Sequence, residues 1–337
     1  MREDGKTRAV RVLIYLYENT DEEHYATIKM ISDHLASLGM PADRRTIGED
    51  IEALRAAGID ISCERSTQNR FRLASRSFTV TELKLLIDAV QSSKFIGYED
   101  CRILIEKLAS LAVRSQSSKL RRRLYFRERP KAGSKDLFRT LDLVWRAYSE
   151  GVAVSFKYFT FDSGKRRVYK HSGATYMLSV YSMIWNNDSY YVVGYDEKHR
   201  GVTTFRLDRM GEVTLTDTPA RKAPAGFTEQ RYMKGGVFDM YDGHEYDAAF
   251  MCRGEAMDAV IDKFGKDADT TPCGRDKFIL RARVSASPTL YGWLFTFTDL
   301  ITLISPSALA KDYSAYMRGA LASLREGRKI RQRRTDI

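Results

Sequence analysis

At 337 residues, with 43% apolar and 29% charged residues, the chain exceeds one ordinary domain, and two or three units with separate cores are expected. No run nears the roughly 20 apolar residues of a membrane span, and "MREDGKTRAV" lacks a signal-peptide core, so no membrane partner and a cytoplasmic location are expected. The net charge of +11 is uneven: residues 1–77 hold 12 Lys+Arg against 13 Asp+Glu, residues 114–131 hold 8 against 1, and residues 318–337 hold 7 against 2.

The two basic runs suit phosphate contacts; a solvated surface and a loose tail suit them as well. Cys63, Cys101, Cys252 and Cys273 are scattered, with no CxxC pair and no His at ligand spacing. Reduced thiols, no metal and no cofactor are therefore expected.

In chain order, "TRAVRVLIYLYENT" spaces Val10, Leu13, Ile14 and Tyr17 as a helical stripe, and "TIKMISDHLASLG" repeats the pattern with Ile28, Ile31, Leu35 and Leu38 before Gly39. "MPADRRTIGEDIEALRAAGIDI" predicts a third helix capped by Asp43, with Ile47, Ile51 and Leu54 buried. Two short strands, Ile59 to Glu64 and Arg70 to Leu73, follow. Helix, helix, turn, helix and hairpin is the order of a winged helix-turn-helix. That geometry puts Arg44, Arg45 and Thr46 at the end of the helix that enters a DNA major groove, and Arg65, Arg70 and Arg72 on the wing. The alternative is that these arginines are solvated residues of an ordinary, slightly acidic helical head.

"SFTVTELKLLIDAVQSSKFI" predicts a helix with a capping box at Thr79 or Thr81 and a stripe of Leu83, Leu86, Ile87 and Val90; a second helix spans about Glu99 to Val113. After the basic segment and the linker "RPKAGS", "KDLFRTLDLVWRAYSEG" predicts a helix with Leu137, Leu141, Val144 and Tyr148 on one face. From "VAVSFKYFTF" to residue 216 the pattern is strands and turns, as in a small barrel. There "SYYVVGY" alternates Tyr191, Val193 and Tyr195 against Tyr190, Val192 and Gly194, and "TFRLDRM" alternates Phe205, Leu207 and Arg209 against Arg206 and Asp208. Two arginines on neighbouring strands cannot both be buried without anionic partners, and Asp208 can satisfy one. The C-terminal part predicts strands at "EYDAAFMC", "DKFILRARVS" and "ITLIS", helices at "GEAMDAVIDKFG" and "SPTLYGWLFTFT", and a long helix from Pro306.

With "DRRTIGEDIEAL", "SVYSMIWNNDSYYVVGYD", "FRLDRM" and "ITLISPSALAKDYSAYM" in place, the chain resembles the WYL-domain transcriptional regulators. The name-giving letters fall on Tyr190, Tyr191 and Val192, and Gly48-Glu49 departs from relatives that carry Tyr and then a charged residue. The resemblance implies a multidomain α+β fold: an N-terminal winged helix-turn-helix at 1–76, a helical linker or dimerisation segment at 77–133, a small Sm/SH3-like β-barrel, the WYL domain, at 134–220, a linker at 221–243, a ferredoxin-like C-terminal extension called WCX at 244–325 and a basic tail at 326–337.

It also implies a homodimeric, ligand-responsive regulator, most often a repressor, with an operator in double-stranded DNA and an anionic nucleotide or single-stranded nucleic acid as ligand. Rings stack bases and guanidinium groups clamp phosphates, which nominates Arg166, His171, Tyr176, Tyr181, Trp185, Tyr190, Arg206 and Arg209. For Tyr176, Tyr181 and Trp185 a place in the barrel core is equally consistent. An enzyme is not expected: no GxxxxGKS, GxSxG or HExxH stands in the sequence, and the five His have no evident partners. The remaining alternative is an accessory single-strand-binding protein with a vestigial head.

Overall fold

The computed structural model describes residues 3–65, 67–74, 76–121, 136–186, 188–228 and 244–335, with backbone alone at 3–5 and 327–335. The chain divides into two compact units, Met1–Lys135 and Asp136–Ile337. Among the described residues no helix is long and apolar enough to cross a membrane.

The first unit begins with α1 (Glu3–Asn19), β1 (Ala26–Thr27), α2 (Ile28–Ser37) and α3 (Arg44–Ala56), followed by β2 (Ile61–Glu64) and β3 (Arg70–Leu73). β3 lies between β1 and β2, antiparallel to both. Asp43 starts α3 by accepting from the Thr46 N–H at 2.8 Å, as its position predicts. Val12, Leu16, Ile31, Leu35, Ile47, Ile51 and Phe71 form one core. The stripe expected on α1 is corrected: Val10, Ile14 and Tyr17 are exposed, whereas Ala9, Val12 and Leu16 are buried. Both sets fit the helical period, and only packing against the rest of the unit chooses between them. Leu38 is exposed because α2 ends at Ser37 and Leu38 is its C-cap, outside the helical stripe.

Two polar contacts that periodicity cannot show organise this unit. Asp50 of α3, buried, accepts from Arg8 of α1 at 2.6 Å (Nε) and 3.1 Å (Nη2), which fixes how α3 sits on α1. Beyond the hairpin come α4 (Val80–Ser92), started by the Thr79/Glu82 capping box, α5 (Tyr98–Ala109) and α6 (Arg114–Arg121), packed around Leu83, Ile87, Ile105 and Ala109. The Arg76 guanidinium ties the two layers together, donating to the carbonyls of Tyr17, Thr20 and Leu111. Residues 122–135, with much of the mid-chain basic run, lie outside the described residues.

The second unit opens with α7 (Leu137–Glu150), then β4 (Val152–Phe161), β5 (Arg167–Tyr169), β6 (Thr175–Asn186), β7 (Ser189–Asp196), β8 (Gly201–Arg206) and β9 (Met210–Pro219). β5 pairs with the far end of β4, and the other strands run in the order β9-β4-β6-β7-β8. In a flat sheet β4 and β8, three strands apart, would be separated by about 14 Å. Instead Phe156 of β4 meets Phe205 of β8 with ring centroids 5.0 Å apart, and the Arg206 N–H donates to the Tyr158 hydroxyl at 3.2 Å, so the sheet is rolled up on itself. The roll needs glycine at 194, where a Cβ would stand 2.2 Å from the Ser179 carbonyl oxygen.

Two expectations change here. The strand read through "TTFRLDRM" ends at Arg206, and Leu207–Arg209 form a 3₁₀ turn, so Arg206, Asp208 and Arg209 do not alternate across a sheet. On α7 the buried face is Leu137, Thr140, Val144 and Ala147; Tyr148 is exposed.

The chain continues through β10 (Glu245–Arg253), α8 (Met257–Phe264), β11 (Asp269–Pro272), β12 (Lys277–Ser285), α9 (Pro288–Thr296), β13 (Ile301–Ser305) and α10 (Ser307–Thr335). The sheet order is β11-β12-β10-β13, all antiparallel, over a core that includes Phe250, Cys252, Val260, Leu280, Leu290 and Leu309. Burial pushes the Cys252 thiol up to about 11. α10 carries the helix on through most of the segment read as a loose basic tail.

Candidate functional site

Two surfaces gather the cationic side chains. In the first unit, α3 and the β2–β3 hairpin enclose a groove of about 670 Å³ lined by Arg44, Arg45, Gly48, Glu49, Glu52, Arg55, Arg65 and Asn69, among others. Arg45 is 89% exposed and contacts Glu49 one turn on at 2.9 Å. Arg55 donates to Glu52 at 2.6 Å and to the Ile61 carbonyl at 2.8 Å, which leans its guanidinium toward the hairpin. The N–H of Thr46 holds the Asp43 carboxyl below its usual range and keeps the start of α3 ordered.

Of the six residues nominated for DNA, three share this groove: Arg44, Arg45 and Arg65. Thr46 is half-buried behind its cap. Arg70 lies 4.2 Å over the Tyr25 ring, and Arg72 donates to Ser62 Oγ and the Glu22 carbonyl, so both serve the sheet. Arg55 was missed, although residues 44, 48, 52 and 55 recur at helical spacing and the signal was present.

On the rolled sheet, Tyr158 and Tyr176 form a floor with ring centroids 6.3 Å apart. Lys170 Nζ stands 5.5 Å from the Tyr158 ring centroid and Lys198 Nζ 4.7 Å from that of Tyr176. His199 stacks on Tyr176 at 6.0 Å, and His171 lies 6.3 Å from it. His171 and Ser172 adopt left-handed backbone (φ 51° and 55°), a strained turn that carries the His171 ring beside the floor.

Burial pushes the Tyr158 phenol up, against the hydrogen bond from the Arg206 N–H and the charge of Arg209. Met210, the residue after Arg209, pairs with Tyr158 across β4 and β9, which sets Arg209 at the edge of the same ledge. Tyr176 is raised by burial and then by the charge of Asp196. Among the described residues Lys170, His171, Lys198 and Arg209 have no carboxylate partner. His199 does: its Nδ1 lies 2.5 Å from Asp196 Oδ2, while Asp196 Oδ1 is buried without a hydrogen bond.

Of the eight nominated ligand residues, His171 and Arg209 border the two tyrosine rings, whereas Tyr176 is corrected to the core of the rolled sheet: it is 2% exposed, with its ring stacked on Phe156 at 5.4 Å as well as on His199. Arg206 borders them, but its guanidinium is closed on Asp208 at 2.8 and 3.1 Å. Arg166 sits on the β4–β5 turn, paired with Asp162 at 3.0 Å. Trp185 and Tyr190 pack edge-on at 4.8 Å at the other end of the β6–β7 hairpin, and the Tyr181 hydroxyl donates to the Lys222 carbonyl at 3.0 Å. Lys170, Lys198 and His199 were missed because each stands in a turn where alternation gives no direction, and Tyr158, inside β4, because alternation alone does not say which face the rings of other strands will meet.

A solved chain of proteasome accessory factor B/C (PafBC) of Arthrobacter aurescens is similar at 14% identity with a TM-score of 0.30; the match covers 94% of this chain and 48% of that one, so this chain spans about half its length. No curated protein matches. Residues 139–215 match the family model described as "WYL domain", a range that takes in most of α7 and the rolled sheet up to β9. The rolled sheet that holds the two tyrosines and the cations around them therefore matches a WYL domain, which the chain carries over residues 139–215.

Proposed function

We propose that the chain is a ligand-responsive, DNA-binding transcriptional regulator, acting as a homodimer and most often as a repressor. The observation that carries this reading is the groove in which Arg44, Arg45 and Arg55 of α3 face Arg65 of the hairpin, in the same chain as a WYL domain. Helix order and the β1-β3-β2 sheet support a winged helix-turn-helix at 1–76 followed by a helical linker at 77–133. The order β9-β4-β6-β7-β8 with a 3₁₀ turn before the last strand supports an Sm/SH3-like barrel, and β11-β12-β10-β13 with two crossing helices supports a ferredoxin-like domain. The ledge of Lys170, His171, Lys198 and Arg209, none with a carboxylate partner among the described residues, favours an anionic ligand, a nucleotide or a nucleic-acid strand.

The test is an electrophoretic shift with the gene's own upstream DNA at about 50 mM and about 200 mM salt. A shift that survives unrelated competitor, weakens with salt and is lost in Arg45→Ala and Arg65→Ala supports the regulator. A second reading, an accessory single-strand-binding protein, is favoured by Glu49 and Glu52 sharing the groove. Tight retention of unrelated single strands with no specific duplex shift would establish it instead.

A further inference from the structure

The turn between β7 and β8, residues 197–200, carries Lys198 to the ledge with His199 beside it, and turns one carboxylate away from them. That carboxylate, Glu197, accepts two hydrogen bonds from the Arg221 guanidinium, at 2.5 and 2.9 Å. Arg221 stands just past β9, in the segment 220–228 that leads on in sequence to β10. It is itself held from several sides: its N–H donates to Ser179 Oγ at 2.9 Å, and its guanidinium lies 4.7 Å from the Tyr195 ring centroid. The carbonyl of the next residue, Lys222, accepts from the Tyr181 hydroxyl at 3.0 Å, and the Phe227 ring closes on that of Tyr181 at 5.2 Å. The exit segment is thus docked on β6 and β7, and from there its cation reaches a turn whose Lys198, His199 and Arg200 are exposed.

We propose that Glu197 and Arg221 are a positioning pair: docking of the exit segment sets the β7–β8 turn, and with it Lys198, in place to take an anion on the ledge. The inference rests on the ledge being the ligand site. On its inner side the turn is tethered by the His199–Asp196 contact and by the Glu197 N–H, which donates to the Met177 carbonyl at 3.1 Å; the Arg221 pair is its outer tether. Because coupling between two sites is reciprocal, an anion that holds Lys198 also holds Glu197 and tightens the exit segment on the sheet. Occupancy of the ledge is in this way reported to the chain that continues into the C-terminal sheet. The size of the effect is bounded: the Arg221 and Glu197 side chains are 57% and 38% exposed, and so exposed a pair couples by at most about a five-fold change in an equilibrium constant.

The sign of one substitution separates positioning from plain electrostatics. Glu197→Ala removes a negative charge next to Lys198, so charge alone requires the full chain to bind fluorescein-labelled oligothymidylate more tightly in an anisotropy titration. Positioning requires binding weaker by about three- to five-fold, with the melting profile unchanged. Arg221→Ala should weaken the probe as much, and the double variant no further than either single one. In the parent the probe should slow tryptic cleavage after Lys222 by a similar factor, and in Glu197→Ala it should leave that rate unchanged. Tighter or equal binding by Glu197→Ala, or the same slowing of cleavage in parent and variant, overturns the positioning pair and leaves the ledge as the ligand site. A probe affinity that Lys198→Ala does not change removes the ledge, and the positioning pair with it.

Discussion

Arg206 and Asp208 form a closed pair: the guanidinium donates to both oxygens of the carboxylate two residues on, at 2.8 and 3.1 Å, and that carboxylate is almost out of contact with water. The hydrogen bond to Asp208 raises the guanidinium's affinity for its proton, ahead of the opposing effect of burial. Beside the Tyr158 and Tyr176 rings one arginine is thus committed to the fold, Arg206, while Arg209 has no carboxylate partner among the described residues.

These two arginines should separate stability from binding. Arg206→Ala leaves Asp208 without its cation and is expected to cost about 3 kcal/mol, read as a lower denaturant midpoint. Arg209→Ala should stay within about 0.5 kcal/mol of the parent and weaken a fluorescent nucleotide probe about 10-fold or more in a binding titration. The reverse pattern would remove Arg209 from the ligand site.

In the head, Arg8→Ala strands the buried Asp50 carboxylate and is expected to lose about 3–5 kcal/mol in urea melts. Arg8→Met combined with Asp50→Leu removes both charges and should recover most of that loss. Failure to recover would show that the pair sets the pose of α3 and does more than neutralise itself.

Glycines 48 and 194 should respond with opposite signs. A Cβ at 48 meets nothing within 4 Å, so Gly48→Ala is expected to raise stability by up to about 1 kcal/mol, read as a higher melting temperature. At 194 the same methyl drives into the Ser179 carbonyl, and Gly194→Ala should unfold the rolled sheet, read as loss of near-ultraviolet dichroism.

Asp21 gives a pH dependence. Burial raises its carboxyl, but the hydrogen bonds from the His24 ring and from the N–H groups of Glu23 and His24 outweigh it, and its pKa lies below the ordinary 3.8. A depressed carboxylate stabilises the fold above its unfolded pKa, and that contribution disappears as pH falls through the folded value. The stability gap between the parent and Asp21→Asn should therefore be constant above about pH 5 and close progressively below about pH 4. A gap that persisted in strong acid would rule out the ionised carboxylate as its source.

Much of the framework was legible in the chain. Asp43, the Thr79/Glu82 box and the alternation in β6 and β7 act over a few residues, and local chemistry suffices to find them. What depends on distant packing was not legible. α1 and α7 each carry apolar residues on two sides, and the period of 3.6 permits either as the core. Arg206 and Arg209 look equivalent in "FRLDRM" until a 3₁₀ turn folds Asp208 back on the first of them. The lysines of the ledge, Lys170 and Lys198, gained meaning only when two turns placed them over the rings of other strands.

Arg76 has no carboxylate among its described contacts, and its guanidinium makes four hydrogen bonds to carbonyl oxygens at the ends of two helical layers. Such a rivet fastens the end of α1 to the end of α5, so α4 to α6 can turn against the groove-bearing layer only by breaking these bonds.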